Sequence, residues 1–235
     1  VANMLQARSA IGEHLTDGEE LVIAPLPVYH IYTFTVNCLF LMETGNHSLL
    51  ITNPRDLPAF VKELKGLPFT GFIGLNTLFN ALCNRDDFRQ LDFSKLKLTI
   101  SGGMALTKAA AQRWEETTGC PIAEGYGLTE SSPVICFNPI GHERANSIGI
   151  PAPFTQVRIV DEQGVTVAPG EPGEIIARGP QIMKGYWNNP EETAKTLKDG
   201  WLYTGDVGTM SEDGHFHIVD RKKDMILVSG FNVYP

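Results

Sequence analysis

The stretch EGYGLTE, residues 124–130, sets a tyrosine between two glycines and follows it with a hydroxyl and a carboxylate. Gly125 and Gly127 permit positive φ and leave room for a flat ligand against the backbone, while Tyr126 offers an aromatic face. Thr129 and Glu130 then pair a hydroxyl donor with a hard anionic oxygen. Such a pair suits a phosphate oxygen and a bound Mg2+, which takes one or two carboxylates and completes its shell with substrate phosphates. Turn chemistry accounts for the same residues equally well, as a glycine turn leading into a capped helix. The dinucleotide fingerprint G-x-G-x-x-G fails at its third glycine, where Glu130 stands, so a Rossmann site is disfavoured. No Walker G-x-x-x-x-G-K-[ST] occurs, and ISGGM (100–104) is not the G-x-S-x-G of a nucleophile elbow.

Other residues carry chemistry of their own. Asp206 follows a glycine turn in LYTGDVG, where it either makes an Asx turn or grips a vicinal diol such as a ribose with its two acceptors. Arg221, Lys222 and Lys223 cluster between two aspartates, a pattern that by itself reads as a solvated turn. His215 and His217, at i and i+2, share one side of a strand and could share a metal; with no third ligand in view, surface pairing is the preferred reading. His30, in PVYHIYTF, ends a strand-like segment in apolar surroundings and reads as a wall residue rather than a catalyst.

These residues need a scaffold, and the chain has the material for one. Of 235 residues, 43% are hydrophobic and 20% charged, which fits a globular protein of one large or two smaller domains. A net charge of −8 without a Lys/Arg run excludes a nucleic-acid face. Cys38, Cys83, Cys120 and Cys136 are scattered, which suggests neither a zinc site nor a disulfide framework and fits a reducing, cytoplasmic setting. The longest apolar run, residues 31–42, falls short of the roughly 20 residues a spanning helix needs. The chain opens on Val1 without an initiator Met and stops at Pro235, so it reads as an excerpt of a longer protein.

From about residue 20 to 150, apolar strands alternate with helices: LVIAPLP, FTGFIGL and LKLTISGG as strands, LPAFVKELKG, NTLFNALCN (from an Asn cap) and ALTKAAAQRWEETTG as helices. This is the pattern of α/β units, with ligands at strand ends. Beyond Pro151, short alternating strands separated by Gly, Asp and Pro turns predict an antiparallel array, a small β-barrel-like lobe. A helix in NPEETAKTLKDG interrupts it, capped by Asn189 with Pro190 at its first position. The expected fold class is therefore α/β plus β, with a boundary near 150/151.

Taken in order, SGGM, EGYGLTE, GEIIARGPQIMKGYW, YTGD and DRKKDMILVSGFNVYP resemble the adenylate-forming superfamily, and within it the bacterial long-chain fatty acid–CoA ligases. Upstream, PLPVYHIYTFTVNCLF, LLITNPRD and NTLFNAL resemble the fatty acid branch, so the likeness covers nearly the whole chain. It implies the large N-terminal domain of that fold, incomplete: an α/β subdomain with acyl and nucleotide pockets over 1–150, a β-barrel-like subdomain over 151–219, and a hinge with the start of the C-terminal domain over 220–235.

The resemblance also implies roles. Gly125 and Tyr126 would hold and stack an adenine, with Gly102, Gly103, Glu124 and Gly127 in the nucleotide pocket. Thr129 would bind the α-phosphate, Glu130 Mg2+, and Asp206 the ribose hydroxyls. Arg221 would reach the ribose or phosphate region, and Lys223 sits at the hinge. His30, Ile31 and Phe34 fall at the acyl pocket and its gate, and Gly230 beside the pantetheine path. The implied reaction takes fatty acid, ATP and CoA to acyl-CoA through an acyl-adenylate. Family members that take up fatty acids are often peripheral to the inner membrane. The family's Ser/Thr/Gly-rich phosphate loop and C-terminal lysine domain are absent from these residues, so the segment alone is expected to be inactive. The alternatives are an adenylating enzyme with another acid or a carrier-protein acceptor, and a non-catalytic nucleotide- or acyl-binding module.

Overall fold

The computed structural model describes residues 1–221, 226–228 and 231–233, with side chains described through residue 219. Two sheets organise it. In the first, β1 (Leu21–Ala24), β2 (His47–Leu50), β3 (Gly71–Gly74), β4 (Leu98–Ser101) and β5 (Ile122–Gly127) run parallel in the order β2-β1-β3-β4-β5. Then β6 (Val134–Phe137) and β7 (Ile150–Pro151) continue it antiparallel from β5.

Helices cover this sheet on both faces, as buried parallel strands require. They are α1 (Ala2–Ile11), α2 (Ile31–Thr33), α3 (Leu41–Glu43), α4 (Leu57–Leu64), α5 (Asn76–Cys83), α6 (Asp86–Arg89) and α7 (Lys108–Thr118), the last closed by Gly119 as the sequence implies. On one side α4, α5 and α7 press an aromatic cluster onto β3: the Trp114 ring lies 5.0 Å from Phe72 and 4.8 Å from Phe79. The buried indole N–H of Trp114 is satisfied by Thr99 Oγ1 at 3.1 Å, so the cluster carries no polar penalty there.

The second sheet contains β8 (Gln156–Val160), β9 (Gly173–Arg178), β10 (Leu197–Lys198), β11 (Trp201–Met210) and β12 (Phe216–Arg221), all antiparallel and curled into half a barrel. Helix α8 (Pro190–Thr196) precedes β10, and its Asn189 cap accepts from Glu192 N at 3.2 Å. β13 (Ile226–Val228) pairs antiparallel with β14 (Phe231–Val233). The expected α/β region followed by an antiparallel lobe is the architecture found. One apolar cluster joins Ile135, Cys136 and Ile148 to Ile159, Ile175, Ala177, Leu202 and Phe216, so the two sheets share a core. Among the described residues no helix is long and apolar enough to cross a membrane.

Three local expectations need correction. The strand read before His30 ends at Ala24, and His30 is an exposed cap whose ring Nδ1 accepts from Tyr32 N at 3.3 Å. The following run, rich in β-branched and aromatic residues, is helical: α2, a π-helical stretch over Phe34–Phe40, then α3. Burial of Tyr32, Phe40 and Leu41 against Val22 and Ile73 overrides strand propensity there. Asn76 does not cap its own helix; its Oδ1 instead accepts from Thr107 N and Oγ1, both at 3.0 Å, which ties α5 to the start of α7.

Candidate active site

The stretch EGYGLTE is not a glycine turn: it is a strand that runs into a single 3-10 turn, whose N-cap N–H on Leu128 is bonded by Ser131 Oγ. Residues 122–127 are strand β5, and neither Gly125 nor Gly127 has positive φ. Glycine is required at 127 for a different reason: a Cβ there would stand 1.9 Å from Pro133 O, because the chain folds straight back into β6. At 125 a Cβ would meet only ordinary contacts, 3.8 Å from Cys136 O, so that strand face is open to something other than protein.

Thr129 and Glu130 sit on the single 3-10 turn, Thr129–Ser131, between β5 and β6. Backbone bonds close it, Leu128 N to Pro133 O at 3.1 Å and Ser131 N to Leu128 O at 3.1 Å. The fully buried Ser131 staples it from within: its Oγ accepts from Leu128 N at 2.9 Å and donates to the Leu128 and Pro133 carbonyls. Thr129 is thereby exposed and Glu130 half-buried on a tip that cannot easily move. Ser131 escaped sequence reasoning, because serine is common in turns and its type alone does not mark a staple.

Each carboxylate is held by a tyrosine. Tyr126 Oη donates to Asp206 Oδ2 at 2.6 Å, joining β5 to β11 across the two sheets. Burial first, and then the Asp206 charge, push the Tyr126 phenol well above its ordinary range, so it remains a donor. Asp206 follows Gly205, whose φ of +74° makes the irregularity that interrupts β11–β9 pairing between Tyr203 and Val207. The backbone of Arg221 is in register with Asp206 on β12. In the same manner Tyr186 Oη donates to Glu130 Oε1 at 2.7 Å, and Met183 N donates to the Glu130 carbonyl at 2.8 Å.

The glycine pair closes the floor. Gly102 follows β4, with Gly103 at φ +84°, and a Cβ on Gly102 would lie 3.4 Å from the Tyr32 ring. Tyr32 Oη donates to Ile100 O at 3.2 Å, which seats α2 against the end of β4. Thr35 Oγ1 donates to Ser132 O at 3.3 Å, so the same helical segment also touches the Thr129–Glu130 turn. His30, Ile31 and the half-exposed Phe34 therefore lie on a segment fastened both beside the glycine pair and to the Thr129–Glu130 turn. Glu124, in register with Ser101, is pushed up to about 7 by burial, partly offset by donation from Leu106 N–H. Lys223 and Gly230 lie outside the described residues. The two histidines do not converge: His215 Nδ1 faces Asp213 at 3.4 Å, whereas His217 Nδ1 faces Asn146 O at 2.8 Å.

The Gly102–Gly103 pair and the stapled Thr129–Glu130 turn lie just past the carboxyl ends of β4 and β5, where parallel α/β sheets bind ligands, and Asp206 of β11 is tethered to β5 through Tyr126. Residues 1–187 match the family of AMP-binding enzymes. The chain belongs to that family. The AMP-binding chain is 56% identical over 235 residues to the long-chain-fatty-acid–CoA ligase of Yersinia pestis, and 42% identical over 221 residues to that of Bacillus subtilis. It is covered in full by the first match and to 93% by the second, while spanning 42% and 39% of those proteins. Among solved structures, an anthranilate CoA ligase in complex with anthranoyl-AMP aligns at TM-score 0.90 and 28% identity, over 100% of this chain and 45% of that one. An ATP-bound MatB from Rhodopseudomonas palustris aligns at TM-score 0.85 and 28% identity, over 100% and 46%.

The donor set of this AMP-binding enzyme also suits a hard cation. Glu130 uses one oxygen on Tyr186, and among the described residues nothing else binds its carboxylate, while Thr129 beside it is exposed. Among the described residues no group of three or more His, Cys, Asp or Glu could hold an ion by itself. A single carboxylate completed by ligand phosphates is the arrangement Mg2+ favours.

Proposed function

We propose that the chain carries the central part of a long-chain fatty acid–CoA ligase, an acid–thiol ligase that activates a fatty acid with ATP and passes the acyl group to CoA. The observation that carries this reading is the anchoring of two carboxylates from different sheets, Glu130 and Asp206, around the single stretch 124–130, where each is held by a tyrosine hydroxyl. The identity to curated ligases of that activity, over the whole chain, supports the fatty acid as substrate. In this proposal the chain divides into an α/β subdomain over 1–150, a barrel-like subdomain over 151–219, and a hinge with the start of a further domain over 220–235.

In this reading Gly125 leaves the strand face open to an adenine, with Tyr126, Gly127, Glu124, Gly102 and Gly103 around it. Asp206 accepts from the ribose hydroxyls, with Arg221 alongside. An oxygen of the fatty carboxylate attacks the α-phosphorus of ATP, a P–O bond forms, and the bond to pyrophosphate breaks. The CoA thiolate then attacks the acyl carbonyl and AMP leaves. Both steps bring anions together, so a donor aimed at the α-phosphate before reaction is needed, a role that suits Thr129, exposed on its stapled turn. Mg2+, held by Glu130, would supply further charge neutralisation on the phosphates. His30, Ile31 and Phe34 line the acyl entry, Lys223 serves the rotation between half-reactions, and Gly230 borders the pantetheine path. The setting is cytoplasmic, with peripheral contact at the inner membrane where fatty acids arrive.

The test is ATP–pyrophosphate exchange by the full-length protein across acids of increasing chain length, followed by acyl transfer to CoA. Exchange driven by long-chain acids is expected. Exchange driven only by an aromatic acid, acyl transfer only to a carrier protein, or no exchange with any acid would overturn the assignment.

A further inference from the structure

The loop from Gly179 to Asn189 delivers the Tyr186 side chain to Glu130. Gln181 is 3% exposed, and its amide donates to Thr155 Oγ1 at 2.7 Å and to Val134 O at 3.2 Å, pinning the loop to both lobes. Two residues on, Met183 N binds the carbonyl of Glu130. At the far end, Tyr186 N donates to Thr193 Oγ1 at 2.9 Å, and that hydroxyl donates to Asn189 O at 2.8 Å, so the tyrosine backbone is tied to α8. Between these anchors Tyr186 sends its hydroxyl to Glu130 Oε1, while the neighbouring Trp187 is 92% exposed. Glu130 is thus gripped twice by one loop, at its backbone and at one carboxylate oxygen.

We infer that Tyr186 is a positioning residue: it fixes the rotation of the Glu130 carboxylate so that Oε2 is presented to the cation accompanying the nucleotide. This rests on the adenylation reading above. A carboxylate on a surface turn has freely rotating χ angles, and ordering them at the moment of binding weakens the site. A donor already bound to the other oxygen removes that cost. The bond is charge-assisted, so it is stronger than a neutral pair, and it orients as well as binds. Groups that orient a metal ligand in this way typically change metal affinity by about 10–100-fold when removed.

The experiment uses the full-length protein with Mn2+ as the spectroscopic probe and a non-hydrolysable ATP analogue, read by electron paramagnetic resonance. Parent, Tyr186→Phe, Glu130→Gln and the double variant are compared, with thermal melts to verify folding. The expected result is nucleotide-dependent Mn2+ binding weakened about 10–100-fold in Tyr186→Phe. Little or no further loss is expected when that change is added to Glu130→Gln, because the tyrosine then has no ligand to orient. If Glu130→Gln weakens Mn2+ binding and Tyr186→Phe leaves it unchanged or tightens it, the positioning role is overturned and the Glu130 assignment stands. If Glu130→Gln itself leaves Mn2+ binding unchanged, the cation reading and the inference fall together. Losses that add in the double variant would overturn action through Glu130. Should Tyr186→Phe melt far below the parent, Tyr186→His, which keeps a ring and a donor, is read in its place and must recover part of the Mn2+ affinity.

Discussion

Alanine substitution at Gly125 and Gly127, two residues apart on one strand, separates a glycine the fold requires from one a ligand would require. In Gly127→Ala the new Cβ lies 1.9 Å from Pro133 O, 2.6 Å from Pro133 C and 3.0 Å from Val134 Cα. All three are backbone atoms of the returning strand, so no side chain can rotate away, and β5 and β6 must separate. Overpacking of a well-packed region costs about 1–3 kcal/mol. Loss of the Leu128 N to Pro133 O bond, 3.1 Å in the parent, adds about 1 kcal/mol. A total of about 2–4 kcal/mol corresponds to a fall in Tm of roughly 4–16 °C for a chain of this size. In Gly125→Ala the Cβ meets nothing closer than 3.8 Å. Its stability should stay within about 1 kcal/mol of the parent, since loss of unfolded-state freedom offsets small strain. Its ATP-analogue affinity should fall, because the methyl group stands on the face proposed for the adenine. Calorimetric melts and isothermal titration of both variants check this. A Gly127→Ala protein melting with the parent would refute the close-approach reasoning, and a Gly125→Ala protein binding nucleotide normally would refute the open-face reasoning.

Glu124 makes stability depend on pH. Its folded-state value of about 7 lies above the ordinary 4.5, so the folded protein holds the proton more tightly, and the stability this group contributes is full below pH 4.5 and is lost as pH rises through 7. The difference is worth about 3 kcal/mol, and Glu124→Gln should be the more stable protein above neutrality, with the advantage vanishing in acid; denaturant titrations at several pH values measure it. Asn3→Ala removes the side chain that donates to Val134 O at 2.9 Å and accepts from Val134 N at 3.0 Å, leaving that part-buried N–H without its acceptor. A loss of about 1–3 kcal/mol in urea unfolding is expected. Among the cysteines, Cys38 is half-buried while Cys83, Cys120 and Cys136 are buried, with burial raising the Cys136 thiol far above its ordinary range. A thiol reagent on the native protein should modify Cys38 first, and mass mapping that finds Cys136 modified at the same rate would contradict the packing.

What the sequence disclosed depended on how local the cause was. Gly119 ending α7, Asn189 and Pro190 opening α8, and the strands around Phe72 and Ile175 follow from nearest neighbours, and these were legible. The segment from Ile31 to Glu43 was not, because its β-branched and aromatic residues favour a strand locally, and only burial against β1 and β3 makes it helical. The same holds at the site. Thr129, Glu130 and Asp206 stood out by residue type, but the tyrosines that hold the two carboxylates are distant along the chain, Tyr186 56 residues from Glu130 and Tyr126 80 residues from Asp206. Gly127 was singled out for φ freedom and is glycine for lack of space, a cause visible only once β6 is seen to return over it.

The switch in strand direction explains why these groups meet where they do. Up to β5 every strand of the first sheet is parallel, and its loops emerge at the carboxyl end. The turn at Thr129–Ser131 then sends β6 back antiparallel, so the chain at that edge is free to join the second sheet. Ile135 and Cys136 of β6 enter the second sheet's core, which draws β11, and with it Asp206, to the carboxyl end of β5. The Tyr126 bond to Asp206 is therefore a consequence of that reversal as much as a feature of a site. A ligand that takes Asp206 must compete with, or accommodate, a phenol already 2.6 Å away. A vicinal diol presents two hydroxyl donors, and a carboxylate, with about four lone-pair sites, can accept from several donors at once. Tyr126→Phe should accordingly leave diol binding possible while loosening Asp206. Nucleotide affinity is then expected to fall by less than in Asp206→Ala, and the reverse order would mean that the tyrosine, not the aspartate, carries the contact.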